Sequence, residues 1–325
     1  MIPTVVRCAT IAMAIAHATA VGVPSTESAH QVSVKHVAIT FDDLPVVSRN
    51  FTTIADHERI TTQLIASIRA HHLPAIGFVN EQKLYRDGIL DDHAVGLLRQ
   101  WARAGLELGN HTYSHLDLHA VPLPDYLHDI ARGDDVTRRV LAEVGRRPRY
   151  FRHPFLHTGR TLAARAQVDS LLATRGYRVA PVTLDNSDYV FAAAYDAALG
   201  RRDSVEARRI AAEYVAYMER VFAFYEDQSR TIEGREIPQI LLVHASVLNA
   251  DYFDALARMI ERRGYTFASL DDVLADSVYR SADTYVGPGG ITWLHRWALT
   301  RGLRGAVFAG EPDVPADIAA AARGG

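Results

Sequence analysis

The chain has 325 residues, 48% of them hydrophobic and 22% charged, and a formal net charge of −3. This is an ordinary globular composition, sufficient for one large α/β domain or two small ones. It lacks the basic excess of a nucleic-acid partner.

The first 20 residues read as a secretory signal peptide. Arg7 precedes a short apolar core, Cys8 to Ala16, and Ala16-His17-Ala18 and Ala18-Thr19-Ala20 offer small-x-small cleavage sites. The run is too short to span a bilayer, so the expected mature chain has no transmembrane segment and is secreted or periplasmic. Its only cysteine, Cys8, goes with the signal, which excludes disulfides and a cysteine nucleophile or ligand. Residues 21–34, small and polar, read as a linker.

From residue 35 to 276 short apolar runs alternate with helical patterns. The expected strands are Val37 to Phe41, Ala75 to Val79, Leu106 to Leu108, Tyr150 to Arg152, Tyr177 to Val182, Ile240 to Val243 and Tyr265 to Phe267. Between them Ile60, Leu64, Ile65 and Ile68 mark one helix and Val95, Leu98, Trp101 and Ala102 the next. One helix is expected over Tyr126 to Val144 and a long one over Asp203 to Asp227. Gly105, Gly176 and Gly264 stop helices before the following strands. This alternation predicts a parallel sheet or barrel. Residues 277–325 read as a C-terminal extension whose Ala- and Gly-rich end, Pro315 to Gly325, is expected to fray.

The polar residues fall at strand ends, where α/β barrels gather their reactive groups. The first strand ends in Thr40-Phe41-Asp42-Asp43, the third in Asn110-His111, the fourth in Arg152-His153-Pro154, the fifth in Asp185-Asn186-Ser187-Asp188 and the sixth in His244. A carboxylate with two imidazoles is a three-ligand set for a catalytic zinc, with a position left for water. A second carboxylate beside it is a natural general base. His111 and His115 alone prove little: 15 histidines give about 0.7 pairs at i, i+4 by chance, and His115/His119 and His153/His157 share the spacing. Following a strand-like run, His111 and His115 are expected on one face of the first turn after it. Thr112 stands where a zincin needs glutamate. For Asp42 and Asp43 to reach one site the chain must leave the strand at about Asp42, which Leu44-Pro45 suits; otherwise the pair is a turn or helix cap.

These residues in this order resemble the polysaccharide deacetylase (NodB homology) family, carbohydrate esterase family 4, over roughly Lys35 to Leu274. Thr40-Phe41-Asp42-Asp43, His111-Thr112-Tyr113-Ser114-His115 and Leu242-Val243-His244 match its first, second and fifth motifs. Arg152-His153-Pro154-Phe155 and Asp185-Asn186-Ser187-Asp188-Tyr189 approximate the third and fourth, with Phe155 for Tyr and Tyr189 for Trp. The resemblance implies a distorted (β/α) barrel with fewer than eight regular repeats. It implies a divalent metal, zinc above all, on Asp43, His111 and His115, with Asp42 as general base and Arg152 orienting it. It also implies His244 as general acid tuned by Asp188, and Pro154, Phe155 and Tyr189 against substrate. Family members commonly remove acetyl groups from N-acetylated glycans such as peptidoglycan or chitin, and some act on acetylxylan.

The expected reaction is removal of N-acetyl groups from an acetylated polysaccharide or oligosaccharide, with water at the metal attacking the acyl carbonyl. Arg152 is expected to favour ionised Asp42, and Asp188 to favour the His244 imidazolium that an amine leaving group requires. The alternatives are an O-acetyl esterase on xylan or a similar polymer, a hydrolase of a non-sugar amide, and a glycan-binding protein without turnover. Asn80 and Glu81 are expected in a loop or at substrate, His153 and His157 at the surface, and Trp293 and Trp297 in packing rather than stacked on sugar.

Overall fold

The computed structural model describes residues 34–324; the signal peptide and most of the linker expected over 1–34 lie outside them. Strands β1 (Lys35–Val47), β2 (Ile76–Val79), β3 (Tyr85–Arg86), β4 (Ile89–Leu90), β5 (Glu107–Asn110), β6 (Tyr150–Phe151), β7 (Arg178–Val179), β8 (Gln239–Ser246) and β9 (Tyr265–Phe267) alternate with helices. The main sheet runs β7-β6-β5-β2-β1-β8, with β9 on the start of β1, and every pairing in it is parallel. The chain beyond β7 then returns to β8, where Leu184 bridges Leu241 and the Thr183 and Leu184 amides donate to Ile240. A mostly parallel sheet curled in this way, wrapped in helices, is a distorted (β/α) barrel with fewer than eight repeats.

All seven strands expected from the sequence are present, because a parallel strand buried on both faces must be a continuous apolar run. The hairpin β3–β4 escaped, its strands being two residues each. The expected helix over Tyr126 to Val144 is two, Leu123–Arg132 and Asp135–Ala142. The break at Gly133 has a steric reason. A Cβ there would lie 2.6 Å from the carbonyl carbon of Thr112 and 2.8 Å from the Tyr113 amide, so the helix end must bear directly on the loop that carries the histidine pair. Gly133→Ala should therefore destabilise the fold by about 1–3 kcal/mol, read as a lowered melting temperature; an unchanged melting temperature would show that the loop yields freely.

The expected long helix extends over Ser204–Glu233, started by Asp203, whose carboxylate accepts from the Glu206 amide. The segment after 276 is packed on the barrel. The Trp293 amide donates to Val182, and Trp297 in the helix Trp293–Thr300 is buried, in keeping with the packing role expected for both tryptophans. The C-terminal end expected to fray instead forms the helix Ala316–Arg323 against the helix Asp188–Gly200. Its Ile318 is fully buried, which supplies the apolar anchor that its small-residue composition concealed. Among the described residues no helix is long and apolar enough to cross a membrane.

Candidate active site

A cavity of about 1240 Å³ opens where β1, β5 and β8 end, and Asp42, Asp43, His111, His115 and His244 all line it. The two aspartates reach it by a route the sequence did not suggest. β1 does not end at Asp42 but runs to Val47 with a bulge: its register shifts between Phe41 and Leu44 against β2 and between Asp42 and Val47 against β8. Asp43 sits in the bulge at φ 68°. This left-handed residue lets neighbours that would point to opposite faces address one site.

The histidine pair converges by a similar device rather than through a helical turn. Thr112 (φ 63°) and His115 (φ 58°) are both left-handed. The loop is held by Asn110, whose side chain accepts from the Thr112 amide, and by the Thr112 hydroxyl, which accepts from the His115 amide. Asp129 of the neighbouring helix accepts from the Ser114 hydroxyl and amide. With Phe155 and Leu156 included, five of the eight non-glycine residues with positive φ among the described residues line this site or its loops. Such strain persists where surrounding structure over-determines it, as at functional sites.

Asp43 Oδ1 lies 3.6 Å from His111 Nε2 and 3.5 Å from His115 Nε2. It is buried without a hydrogen-bond partner, and the three donor atoms lie within 4.8 Å of one another. Ligands at the bond lengths of a tetrahedral zinc stand roughly 3.4 Å apart, so the set fits a cation. The imidazoles are in the right state. Burial pushes both down to about 4, against the pull of Asp43, so they are neutral at pH 7. His111 Nδ1 donates to the Arg152 carbonyl at 2.8 Å, which leaves the Nε2 lone pair for a metal. Burial would raise the Asp43 carboxyl, but Lys83, His111, His244 and His115 outweigh it and hold it well below the usual range. It is an ionised carboxylate.

Asp42, 2% exposed, stands beside this set, its Oδ2 3.8 Å from His111 Nε2 and 4.0 Å from Arg152 Nη1. Arg152 favours the ionised Asp42 as expected, but burial raises the carboxyl and outweighs the pull of Arg152 and His244. Arg152 gives its hydrogen bond to Thr40 Oγ1 at 2.9 Å, and Thr40 in turn donates to the Leu241 carbonyl. The threonine of the first motif is thus a support for the buried guanidinium, a role invisible in sequence because it depends on Arg152, just after β6, reaching across the curled sheet to β1.

Across the cavity His244 Nδ1 meets Asp188 Oδ1 at 2.7 Å, and Asp188 Oδ2 accepts from the His244 amide and from Asn249 Nδ2. Burial would lower the imidazole, but the Asp188 carboxylate and this hydrogen bond raise it to about 9. Asn249, held by Tyr214, was not anticipated. Phe155 (54% exposed) sets its ring 4.6 Å from that of His115, and Tyr189 (58% exposed) lies edge-on to His244. Pro154 is buried beneath Phe155 in a 3-10 turn and has no face on the cavity.

The remaining candidates separate clearly. Glu81 accepts from the Val136 and Thr137 amides at a helix start and Asn80 donates to the His111 carbonyl, so both are structural. His153 and His157, expected at the surface, line the cavity. His153 is buried against the Tyr126 hydroxyl, and His157 pairs with Asp117 and stacks on His119. Asp117, His119 and His157 form a second compact cluster, but both ring nitrogens of His119 are engaged, with Gly159 and Pro288. Residues missed altogether come from the C-terminal segment: Glu311, Asp313 and Val314 close one wall, and the Tyr225 hydroxyl donates to Glu311. No local signal marks them, since only packing of the final helix brings them there.

Fold and site together define a parallel α/β barrel with a carboxylate–imidazole cluster that could hold a metal, a second carboxylate beside it and a histidine–aspartate pair opposite. The polysaccharide deacetylase family model matches residues 29–171 of the chain. The chain is 29% identical over 153 residues to a chitin deacetylase of Colletotrichum lindemuthianum, covering 47% of this chain and 52% of that protein; it thus spans about half the length of this curated relative. Among solved structures it is similar to that of the chitin deacetylase of the same fungus (TM-score 0.49, 20% identity, 76% of this chain and 90% of that one). It is also similar to a carbohydrate esterase family 4 pseudoenzyme of Bacillus anthracis (TM-score 0.46, 14% identity, 74% and 66%).

Proposed function

We propose that the protein is a metal-dependent deacetylase of N-acetylated glycans, exported to act outside the cytoplasm, with residues 35–276 as its catalytic domain and 277–325 as an extension that completes the cavity wall. The observation that carries this reading is the pairing, across one cavity, of a buried carboxylate next to the Asp43–His111–His115 set with a histidine kept protonated by Asp188. Asp43, His111 and His115 would hold a divalent cation, zinc by its donor set, which would supply Lewis acidity toward the attacking water and the acyl carbonyl. Asp42 accepts the proton of the attacking water, and its raised pKa suits a group that must gain a proton in the reaction. Arg152 opposes the effect of burial and favours the ionised carboxylate. His244, with Nδ1 fixed by Asp188, presents Nε2–H to the leaving nitrogen and donates as the carbon–nitrogen bond breaks, giving acetate and a free amine. Phe155 and Tyr189, exposed on two sides, offer aromatic faces for a sugar ring.

Retention of the His244–Asp188 pair favours the amide over the ester reaction, because an alcohol leaves without prior protonation. Acetate release from N-acetylated chitooligosaccharides, compared with acetylxylan at equal metal loading, tests the reading. Faster release from acetylxylan would replace it with the O-acetyl esterase, and no release from either would withdraw the enzymatic reading.

His244 also sets a pH dependence. Its folded pKa of about 9 lies above the unfolded value of about 6.5. Its protonation therefore stabilises the fold fully below pH 6.5, and this contribution is lost as pH rises through 9. The same proton is needed for turnover, so kcat/KM should fall on the basic side near pH 9. Asp188→Asn should move that limb to about 6.5 or lower, costing about 30-fold at pH 8. A basic limb that stays near 9 in this variant would remove His244 as the acid.

A further inference from the structure

We propose that residues 80–83 are a positioning clamp that fixes the spacing of the metal ligands, with Asn80 and Lys83 as its working side chains. The inference rests on the reading of Asp43, His111 and His115 as ligands. None of the four residues contributes a ligand atom, yet the segment reaches both ligand loops at their backbone carbonyls. Lys83 Nζ donates to the Asp43 carbonyl at 2.8 Å, and the Asn80 amide donates to Leu44 at 3.2 Å. On the other loop Asn80 Nδ2 donates to the His111 carbonyl at 2.6 Å and the Gln82 amide to Tyr113 at 2.8 Å.

These four carbonyls belong to, or flank, the left-handed residues that aim the ligands. Asp43 and Leu44 span the bulge at φ 68°, while His111 and Tyr113 flank Thr112 at φ 63°. A peptide in a left-handed conformation costs about 1–2 kcal/mol, so it relaxes unless its carbonyls are held. The segment is itself rigid. Leu84 is fully buried in the core, and Glu81 is locked by two amides at the start of the helix Asp135–Ala142. Asn80 is 1% exposed. The clamp thus joins the β1 loop and the β5 loop through one short turn, and the 3.5 and 3.6 Å separations of Asp43 from the two imidazoles follow from it.

The test is Zn²⁺ titration of the full chain against a competing chelator, with the melting temperature of the metal-free protein recorded in parallel. Lys83→Met is the decisive variant, because its Nζ also lies 4.0 Å from Asp43 Oδ2. Removing that cation would by charge alone tighten metal binding, whereas loss of the clamp weakens it. Weaker binding, by about tenfold, is expected at an unchanged metal-free melting temperature, with Lys83→Arg restoring affinity. Asn80→Ala, which carries no charge change, should weaken binding about 10–100-fold. Zn²⁺ affinity at or above the wild-type level in either variant overturns the clamp. Asp43→Asn is the control: if it keeps wild-type affinity, the ligand assignment fails rather than the clamp.

Discussion

Replacing Asp42 by asparagine is expected to lower kcat by about 10³ while Zn²⁺ binding persists. The magnitude is that of a positioned general base, about 10²–10⁴. Asparagine matches the shape, so no cavity opens, but its amide cannot take a proton. The Asp42 Oδ1 atom has no partner within the protein, in keeping with a group whose partner is the reacting water. A second effect accompanies the first. Arg152 is fully buried, and its Nε and Nη1 lack hydrogen-bond partners, so neutralising Asp42 leaves a buried cation without its nearest counter-charge. A loss of about 3–5 kcal/mol of stability is the usual scale for such a change. The kinetic comparison therefore belongs at a temperature where circular dichroism shows the variant folded. Turnover near the wild-type level in a folded, metal-loaded Asp42→Asn protein would move the base elsewhere.

Asp43→Asn, one residue along, is expected to remove metal binding and turnover together. The carboxylate lies between two neutral imidazoles and is the only anion of the set. Without it the site offers nitrogen donors alone and no charge to offset a dication. Loss of the cation forfeits several kcal/mol of transition-state stabilisation, about 10³ or more in rate. Chelation of the wild-type protein should have the same effect, and added Zn²⁺ should restore the wild type but not the variant. The two adjacent substitutions thus separate by their metal affinity, measured directly, although both lower activity steeply. Wild-type protein that keeps its turnover after exhaustive chelation would end the metal-dependent reading.

Much of this site is legible in the chain because parallel strands place their ends, and therefore the residues just after them, on one side of the sheet. Asp42, Asp43, His111, Arg152, Asp188 and His244 needed only that rule and their order to be gathered. What the rule does not supply is direction. The sequence suggested that β1 stops at Asp42 and that His111 and His115 share a turn. Instead a bulge and two left-handed residues aim them, and those conformations are held by contacts far along the chain, from Asn80, Lys83, Asp129 and Gly133.

The charge balance on Asp42 is legible only in part, for a similar reason. A nearby arginine is readable from a motif, but the depth of burial that outweighs it is a property of the packed barrel. His153 and His157 were placed at the surface because loop histidines usually are, whereas here the loop folds inward over the cavity.

The sequence alone determined the class of fold, through apolar runs of strand length separated by amphipathic helices. It also determined the chemical types at the site, through their recurrence at strand ends; both are local patterns. Tertiary structure alone decided which atoms meet: Thr40 beneath Arg152, Asn249 behind Asp188, and Glu311 and Asp313 at the cavity wall. These contacts join residues tens to hundreds of positions apart, and no spacing in the chain encodes them, because they exist only once the sheet has curled and the last helix has docked.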